Sequence, residues 1–274
     1  MRIVSWNCGG ASCGGLTVEK YNEMLRFNPD ILLIQECTKK EFNFVKNNSE
    51  WGNGILYLAR RTSGGQEYLV DYQHWYGDNK EKSDKGLAII APDYIIELVD
   101  NFNSEFRYFV PFKISSQISE LFSGINREDG NIETIDEKAI LVSIWTQPPS
   151  DGSNDYQKTI FDALDYYNFD VPIILAGDFN TGSNRENIHR YEELKTKLEK
   201  YGLKNCALNT EYEYEPTFYN IKTNKYFSNN FCFIPKNLNV YEYHVEKINN
   251  QKNWKDLSDH CPIIADFGEL KAGE

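Results

Sequence analysis

The sequence predicts one α/β (α+β) domain built on large β-sheets, and three observations carry that expectation. Strand-like apolar runs recur along most of the 274 residues, helical patterns fall between them, and no Pro/Gly/Ser linker, repeat or low-complexity tract marks a boundary. A chain of this length can bury a sizeable core within a single domain, so one domain over residues 1–274 is the simpler organisation.

In chain order, strand patterns span Arg2 to Trp6, Ile31 to Ile34, Ile55 to Ala59, Leu87 to Ala91 and Arg107 to Ile114. They continue with Ala139 to Trp145, Val171 to Ala176, Phe231 to Ile234 and Cys261 to Phe267. Helical patterns cover Thr17 to Phe27, then Asp155 to Tyr167 with Tyr156, Ile160, Leu164 and Tyr167 on one face, then Ile188 to Tyr201 with Ile188, Tyr191, Leu194 and Leu198 in register. Gly202 follows the last helix where a C-cap glycine is favoured. The polar stretch from Ser115 to Lys138 interrupts two strands, and a connection that long in a compact domain is functional or disordered; it reads as a loop insert at 115–138 that forms a surface flap.

Composition narrows the classes of function. Hydrophobic content of 41% and aromatic content of 14% describe a globular protein. With 29 Lys+Arg against 41 Asp+Glu the net charge is -12, which excludes a generally basic nucleic-acid-binding surface but not a phosphate substrate, because bound divalent cations supply positive charge locally. No apolar run reaches the roughly 20 residues that cross a bilayer, and the opening "MRIVSWN" lacks a signal-peptide h-region, so the expected location is cytoplasmic. The six cysteines form no CxxC pair and read as reduced core thiols rather than a zinc site or a disulfide framework.

The stretch "IILAGDFNTG" raises the question of chemistry, since it sets Asp178 and Asn180 just beyond an apolar run read as a buried strand. Ligands of such sheets bind beyond the carboxyl ends of the strands. A plain turn is the alternative, because Gly177, Asp178, Asn180 and Gly182 are all turn formers. Three more strand-adjacent positions share the same chemistry: Asn7 ends "IVSWN", Glu36 ends "ILLIQE", and Asp259 and His260 precede a strand in "LSDHCPII". If those strands are neighbours, three carboxylates, two amides and an imidazole meet at one rim. Oxygen donors of this kind suit Mg²⁺ or Mn²⁺ rather than zinc.

The pieces "SWNCGG", "PDILLIQE", "GLAII", "LVSIWTQPP", "GDFNTG", "PTF" and "LSDHCPI" together resemble the endonuclease/exonuclease/phosphatase superfamily, in that family's order and across nearly the whole chain. The resemblance implies a DNase I-like four-layer sandwich of two mixed β-sheets flanked by helices, with a site at one rim. It further implies Glu36 as principal metal ligand helped by Asn7 and Asp259, Asp178 and Asn180 positioning water and phosphate, and His260 touching the phosphoryl group. Asp178 is favoured as the base. A metal ion, an amide donor and an imidazolium aimed at phosphoryl oxygens stabilise the charge that develops in phosphodiester hydrolysis.

Two positions depart from the family pattern. Trp145 stands in "LVSIWTQ" where many members carry His or Tyr; it is either a substrate contact or a core tryptophan facing the sheet. In "YFSNNFCFIP" Asn230 occupies the place of an acid. The expected activity is a DNA or RNA nuclease, with Trp145, Trp75, Tyr219 and Phe231 as candidate base-stacking residues. The alternatives are a phosphatase or phosphodiesterase of a small or lipid head-group substrate, and a weakly active binding or regulatory module on account of Asn230.

Overall fold

The computed structural model describes residues 1–9, 18–38, 54–61, 67–71, 85–91, 94–106, 108–115, 139–146, 155–184, 188–246 and 257–268. The insert beyond Ser115 and the candidate stacking residue Trp75 lie outside the described residues.

Two mixed sheets form the body of the molecule. The first runs β13 (Asn239–Val245), β14 (Ile263–Gly268), β1 (Arg2–Asn7), β2 (Ile31–Thr38), β5 (Lys85–Ile90), β3 (Gly54–Arg61) and β4 (Glu67–Asp71). The second runs β10 (Leu203–Asn205), β12 (Lys225–Pro235), β9 (Ile173–Ser183), β8 (Ala139–Trp145), β7 (Phe109–Ser115) and β6 (Ile95–Leu98), with β11 (Phe218–Asn220) paired to β12. Each sheet has one parallel pair at its centre, β1 with β2 and β8 with β9.

Period-two alternation explains why the sheets stack as they do. Along β8, Ala139, Leu141 and Trp145 join the apolar cluster shared by both sheets, while Ile140, Val142 and Ile144 join a second cluster on the other face. That second cluster is closed by α2 (Lys158–Tyr167) and α3 (His189–Glu199), which contribute Ile160, Ala163 and Leu164, and Tyr191, Leu194 and Leu198. Together with Tyr167 these are positions that the sequence spacing selects, with Ala163 added; Tyr156 and Ile188, which the spacing also selects, precede the helices and are only partly buried. Helix α1 (Val18–Arg26) gives Met24 to the cluster shared by the sheets. A strand buried on both faces reads as a near-continuous apolar run, and β8, with all seven residues buried and only Ser143 polar, is one.

Boundaries differ from the sequence reading where a strand outlasts its apolar run. Strand β9 continues from Ala176 to Ser183, and β12 begins at Lys225 rather than Phe231, because the polar halves of these strands pair with each other. Strands β4, β6, β10, β11 and β13 carry too little apolar alternation to stand out in the sequence. Gly202, at φ +75°, closes α3 by donating its N–H to the Glu199 carbonyl at 3.2 Å.

Candidate active site

The extension of β9 has the largest consequence for the site. Asp178 and Asn180 are not beyond the strand; Asp178 lies within it, 1% exposed, opposite Asn230 on β12 and beside Trp145 on β8. Gly177 makes this close passage possible. It sits at φ +146°, and a Cβ there would lie 1.9 Å from the Ile144 carbonyl oxygen. Asn180 adopts φ +46°, a left-handed conformation tolerated by Asn, so the turn character of the motif survives inside a strand.

Four segments converge on Asp178. From β1, Asn7 Nδ2 donates to Asp178 Oδ2 at 2.9 Å and lies 3.3 Å from Glu36 Oε1. From β9 itself, the Asn180 N–H donates to Asp178 Oδ1 at 3.0 Å, and Asn180 Nδ2 is held by the Thr146 carbonyl at 2.9 Å. From the segment before β14, His260 Nε2 lies 3.8 Å from Asp178 Oδ2. From β12, Asn230 Oδ1 lies 2.9 Å from His260 Nδ1. Since an amide oxygen can only accept, Nδ1 carries the hydrogen and Nε2 presents its lone pair toward Asp178.

Burial sets the electrostatics. Asp178 is pushed up to about 7, first by desolvation and further by the charges of Glu36 and Asp259, against the hydrogen bonds from Asn7 and Asn180. Desolvation pushes His260 down to about 3. The pair is therefore a neutral imidazole beside a carboxyl near its midpoint, not an ion pair. An aspartate at position 230 would favour the imidazolium; the amide does not. Asn230 Nδ2 is itself buried without a hydrogen-bond partner.

Glu36 sits differently. It is the extra residue of a β-bulge between Gln35 and Cys37, at φ +55° and half-buried. A bulge re-aims a side chain, and a non-glycine residue at positive φ is held there at a cost that clusters at functional sites. Asp259 is exposed, its carbonyl receiving the Tyr219 N–H at 2.8 Å. Among the described residues no three His, Cys, Asp or Glu side chains already form a metal cage. The donors nonetheless fit a hard cation bound by one or two carboxylates: they are all oxygens, and Glu36 and Asp259 each raise the proton affinity of Asp178 through like charge that a cation would offset. Asn7 Oδ1 already accepts the Gly9 N–H at 3.0 Å, which leaves it one further lone pair.

Two supporting residues escaped the reading of the sequence although both lie in the quoted motifs. Ser258 Oγ donates to the Asn7 carbonyl at 2.7 Å and accepts the His260 N–H at 3.1 Å, tying the "LSDH" segment to β1. Thr217 Oγ1, in "PTF", accepts the N–H groups of Asn229 and Asn230 at 2.8 and 2.9 Å and fixes the bulge that aims Asn230. Phe218 packs on His260 with ring centroids 4.5 Å apart. Of the aromatic candidates, Trp145 faces the cluster between the sheets, edge-on to Tyr108 at 5.3 Å and 9% exposed, which leaves little of the indole for a ligand. Phe231 belongs to the helix-covered core, stacked on Tyr191 and 2% exposed, so it does not stand at the rim. Tyr219 remains half-buried beside Asp259.

Comparison with known proteins places this geometry in context. The Endonuclease/Exonuclease/phosphatase family matches residues 4–228. No curated protein matches the chain. Solved structures do: an endonuclease/exonuclease/phosphatase from Beutenbergia cavernae is 13% identical, with TM-score 0.62 over 98% of this chain and 71% of that one. An AP endonuclease from Archaeoglobus fulgidus is 14% identical, with TM-score 0.58 over 97% and 99%. D. rerio TDP2 complexed with single-strand DNA product is 13% identical, with TM-score 0.58 over 98% of both chains. At these identities the likeness is one of fold.

Proposed function

The chain belongs to the Endonuclease/Exonuclease/phosphatase family, and from that premise we propose that it is a divalent-metal-dependent phosphodiesterase acting on DNA or RNA, with slow turnover. The observation that carries this reading is the buried Asp178 carboxyl, held by Asn7 at 2.9 Å and faced by His260 Nε2 at 3.8 Å. Phosphate capture alone has no use for a buried carboxylate poised near neutrality, whereas a general base is most effective there.

Asp178, kept ionisable near pH 7 by its burial, takes the proton of the attacking water. Asn180, fixed through its side chain to Thr146, positions the water and phosphate. Glu36, with Asp259 and Asn7, would hold Mg²⁺ or Mn²⁺, which supplies positive charge to the phosphoryl oxygens. His260 is neutral in the free protein; a bound phosphodiester brings the negative charge that Asn230 does not, so His260 takes a proton from solvent at Nε2 with substrate in place and then donates that Nε2–H to a phosphoryl oxygen. That order of events makes Asn230 the reason for slow turnover.

The test is incubation of the purified protein with Mg²⁺ or Mn²⁺ and a panel of plasmid, linear, single-stranded and RNA substrates, beside a phosphomonoester and a sphingomyelin analogue. Cleavage of a nucleic acid that EDTA abolishes supports the reading. Undiminished hydrolysis in EDTA, or hydrolysis of the monoester or the lipid analogue alone, overturns it.

A further inference from the structure

A cavity of about 230 Å³ opens beside Asn180, between the starts of α2 and α3. Its wall runs from Asn180 and Thr181 past Tyr156 and Gln157 to Arg190. Two acids also line it, yet both are engaged. Asp155 Oδ1 accepts the N–H groups of Gln157 and Lys158 at 3.1 and 3.2 Å, and Glu193 pairs with Lys197 at 2.6 Å. Arg190 is exposed, and among the described residues no carboxylate pairs with its guanidinium. Its Nη1 lies 3.8 Å from where a Gly182 Cβ would stand, two residues from Asn180, so the charge is set close along the wall from the reacting centre.

The position of that charge is fixed by the fold. Gln157, 5% exposed, donates its Nε2–H to the Arg190 carbonyl at 2.7 Å and so locks the start of α2 to the start of α3. The next residue, Tyr191, gives its N–H to Ser183 Oγ at 2.9 Å, which ties the same point to the end of β9. The cavity is smaller than the roughly 300–1,000 Å³ of sites that enclose a drug-sized ligand. It has room for a phosphate and its sugar, and Tyr156 is its aromatic lining residue.

The geometry points to a subsite for the phosphodiester next to the scissile one: Arg190 binds the neighbouring phosphate of a nucleic-acid strand while its sugar lies against Tyr156, and the enzyme thereby selects a polynucleotide over an isolated phosphodiester. This inference rests on the proposed nuclease reading and names its substrate class more closely. In a chain of net charge -12, the Arg190 guanidinium beside the reacting centre distinguishes a substrate with two phosphates from one with one. A planar guanidinium is also suited to grip phosphate oxygens in pairs.

The experiment compares the full chain with Arg190→Gln and Arg190→Lys on a DNA oligonucleotide, an RNA oligonucleotide and bis(4-nitrophenyl) phosphate. Binding of both labelled oligonucleotides is measured in parallel by fluorescence anisotropy in EDTA over a range of salt. Arg190→Gln should raise KM for at least one oligonucleotide on the order of tenfold, as loss of a charge-assisted hydrogen bond does. It should leave bis(4-nitrophenyl) phosphate turnover unchanged, and it should reduce the salt slope of binding by about 0.7–0.9; Arg190→Lys should keep the slope. Equal loss on the small diester, or parent-like oligonucleotide KM and binding, overturns the subsite. If the parent cleaves none of the three substrates, the nuclease reading fails, and the anisotropy arm still decides the subsite: a reduced slope supports it and an unchanged slope removes it.

Discussion

Two of the site's three carboxylates come from strands, in opposite ways. On β9, Asp178 stays in the ladder, buried, paired in register with Asn230 and bonded to Asn7 and to the Asn180 N–H. On β2, Glu36 is put out of register by a bulge at positive φ and remains half-buried. The first arrangement raises a pKa by withdrawing water and holds the group rigidly. The second spends backbone strain to keep a carboxylate where a cation can reach it. The proposed roles of base and metal ligand need these different environments, because one must exchange a proton near neutrality and the other must stay charged.

The comparison breaks most readily on β9. Gly177→Ala should destabilise the protein by more than about 3 kcal/mol, since the new Cβ would meet backbone rather than a yielding side chain; denaturant midpoints would measure it. Asp178→Asn should lower kcat by about 10²–10⁴, the usual worth of a positioned general base, while leaving the fold intact because Asn is nearly isosteric. Asn230→Asp should raise hydrolysis roughly 10- to 1,000-fold, scaled down from the roughly 10⁴ lost in the reverse change in a serine-protease triad. It should also raise the His260 pKa, followed by NMR titration of the ring; equal rates and equal titrations in both forms would mean that the Asn230 contact carries no catalytic weight. On β2, Glu36→Gln should weaken Mg²⁺ binding by about tenfold or more, at the scale seen when groups supporting a metal are removed, with little change in thermal stability; calorimetric titration of the metal would report it.

The smallest effect concerns pH and stability. Asp178 rises from an ordinary 3.8 to about 7, so between those values the folded state holds a proton that the unfolded chain has lost, and stability falls as pH rises. His260 falls from 6.5 to about 3, so in that window the unfolded chain binds the extra proton, and stability rises with pH. The two contributions oppose each other between 3.8 and 6.5. Asp178→Asn removes only the first, so its melting temperature should gain on the parent's steadily from about pH 4 to 7 and then hold that lead. A gap independent of pH would contradict the buried, half-ionised carboxyl.

The contrast also explains what the sequence made legible. The apolar spacing of "AILVSIW" and of the two long helical patterns reflects burial, which composition records directly, so β8, α2 and α3 stood out. Likewise the motifs containing Asn7, Glu36, Asp178 and His260 are brought together because β1, β2 and β9 are central strands. What a strand gains from polar pairing leaves no apolar trace. "GDFNTG" therefore reads as the end of a strand that runs on to Ser183, and "YFSNN" does not read as a strand at all. Alternation alone does not say which of two cores a residue faces. Trp145 turned toward the cluster between the sheets and Phe231 toward the helices, and both readings as rim aromatics needed the stacking order of the layers. Ser258 and Thr217 were inside recognised motifs, but a hydroxyl that fixes its neighbours' backbone has no signature apart from its position.

The pH dependence of kcat/KM tests most directly whether Asp178 acts as a base kept near neutrality by burial. With saturating Mg²⁺ or Mn²⁺, the parent's profile on its best nucleic-acid substrate should rise with pH as Asp178 loses its proton, with a midpoint at or below about 7 because the cation offsets the charges of Glu36 and Asp259. The residual activity of Asp178→Asn should lack that limb. A parent profile flat from pH 5 to 8, or a rising limb that persists unchanged in Asp178→Asn, would contradict it.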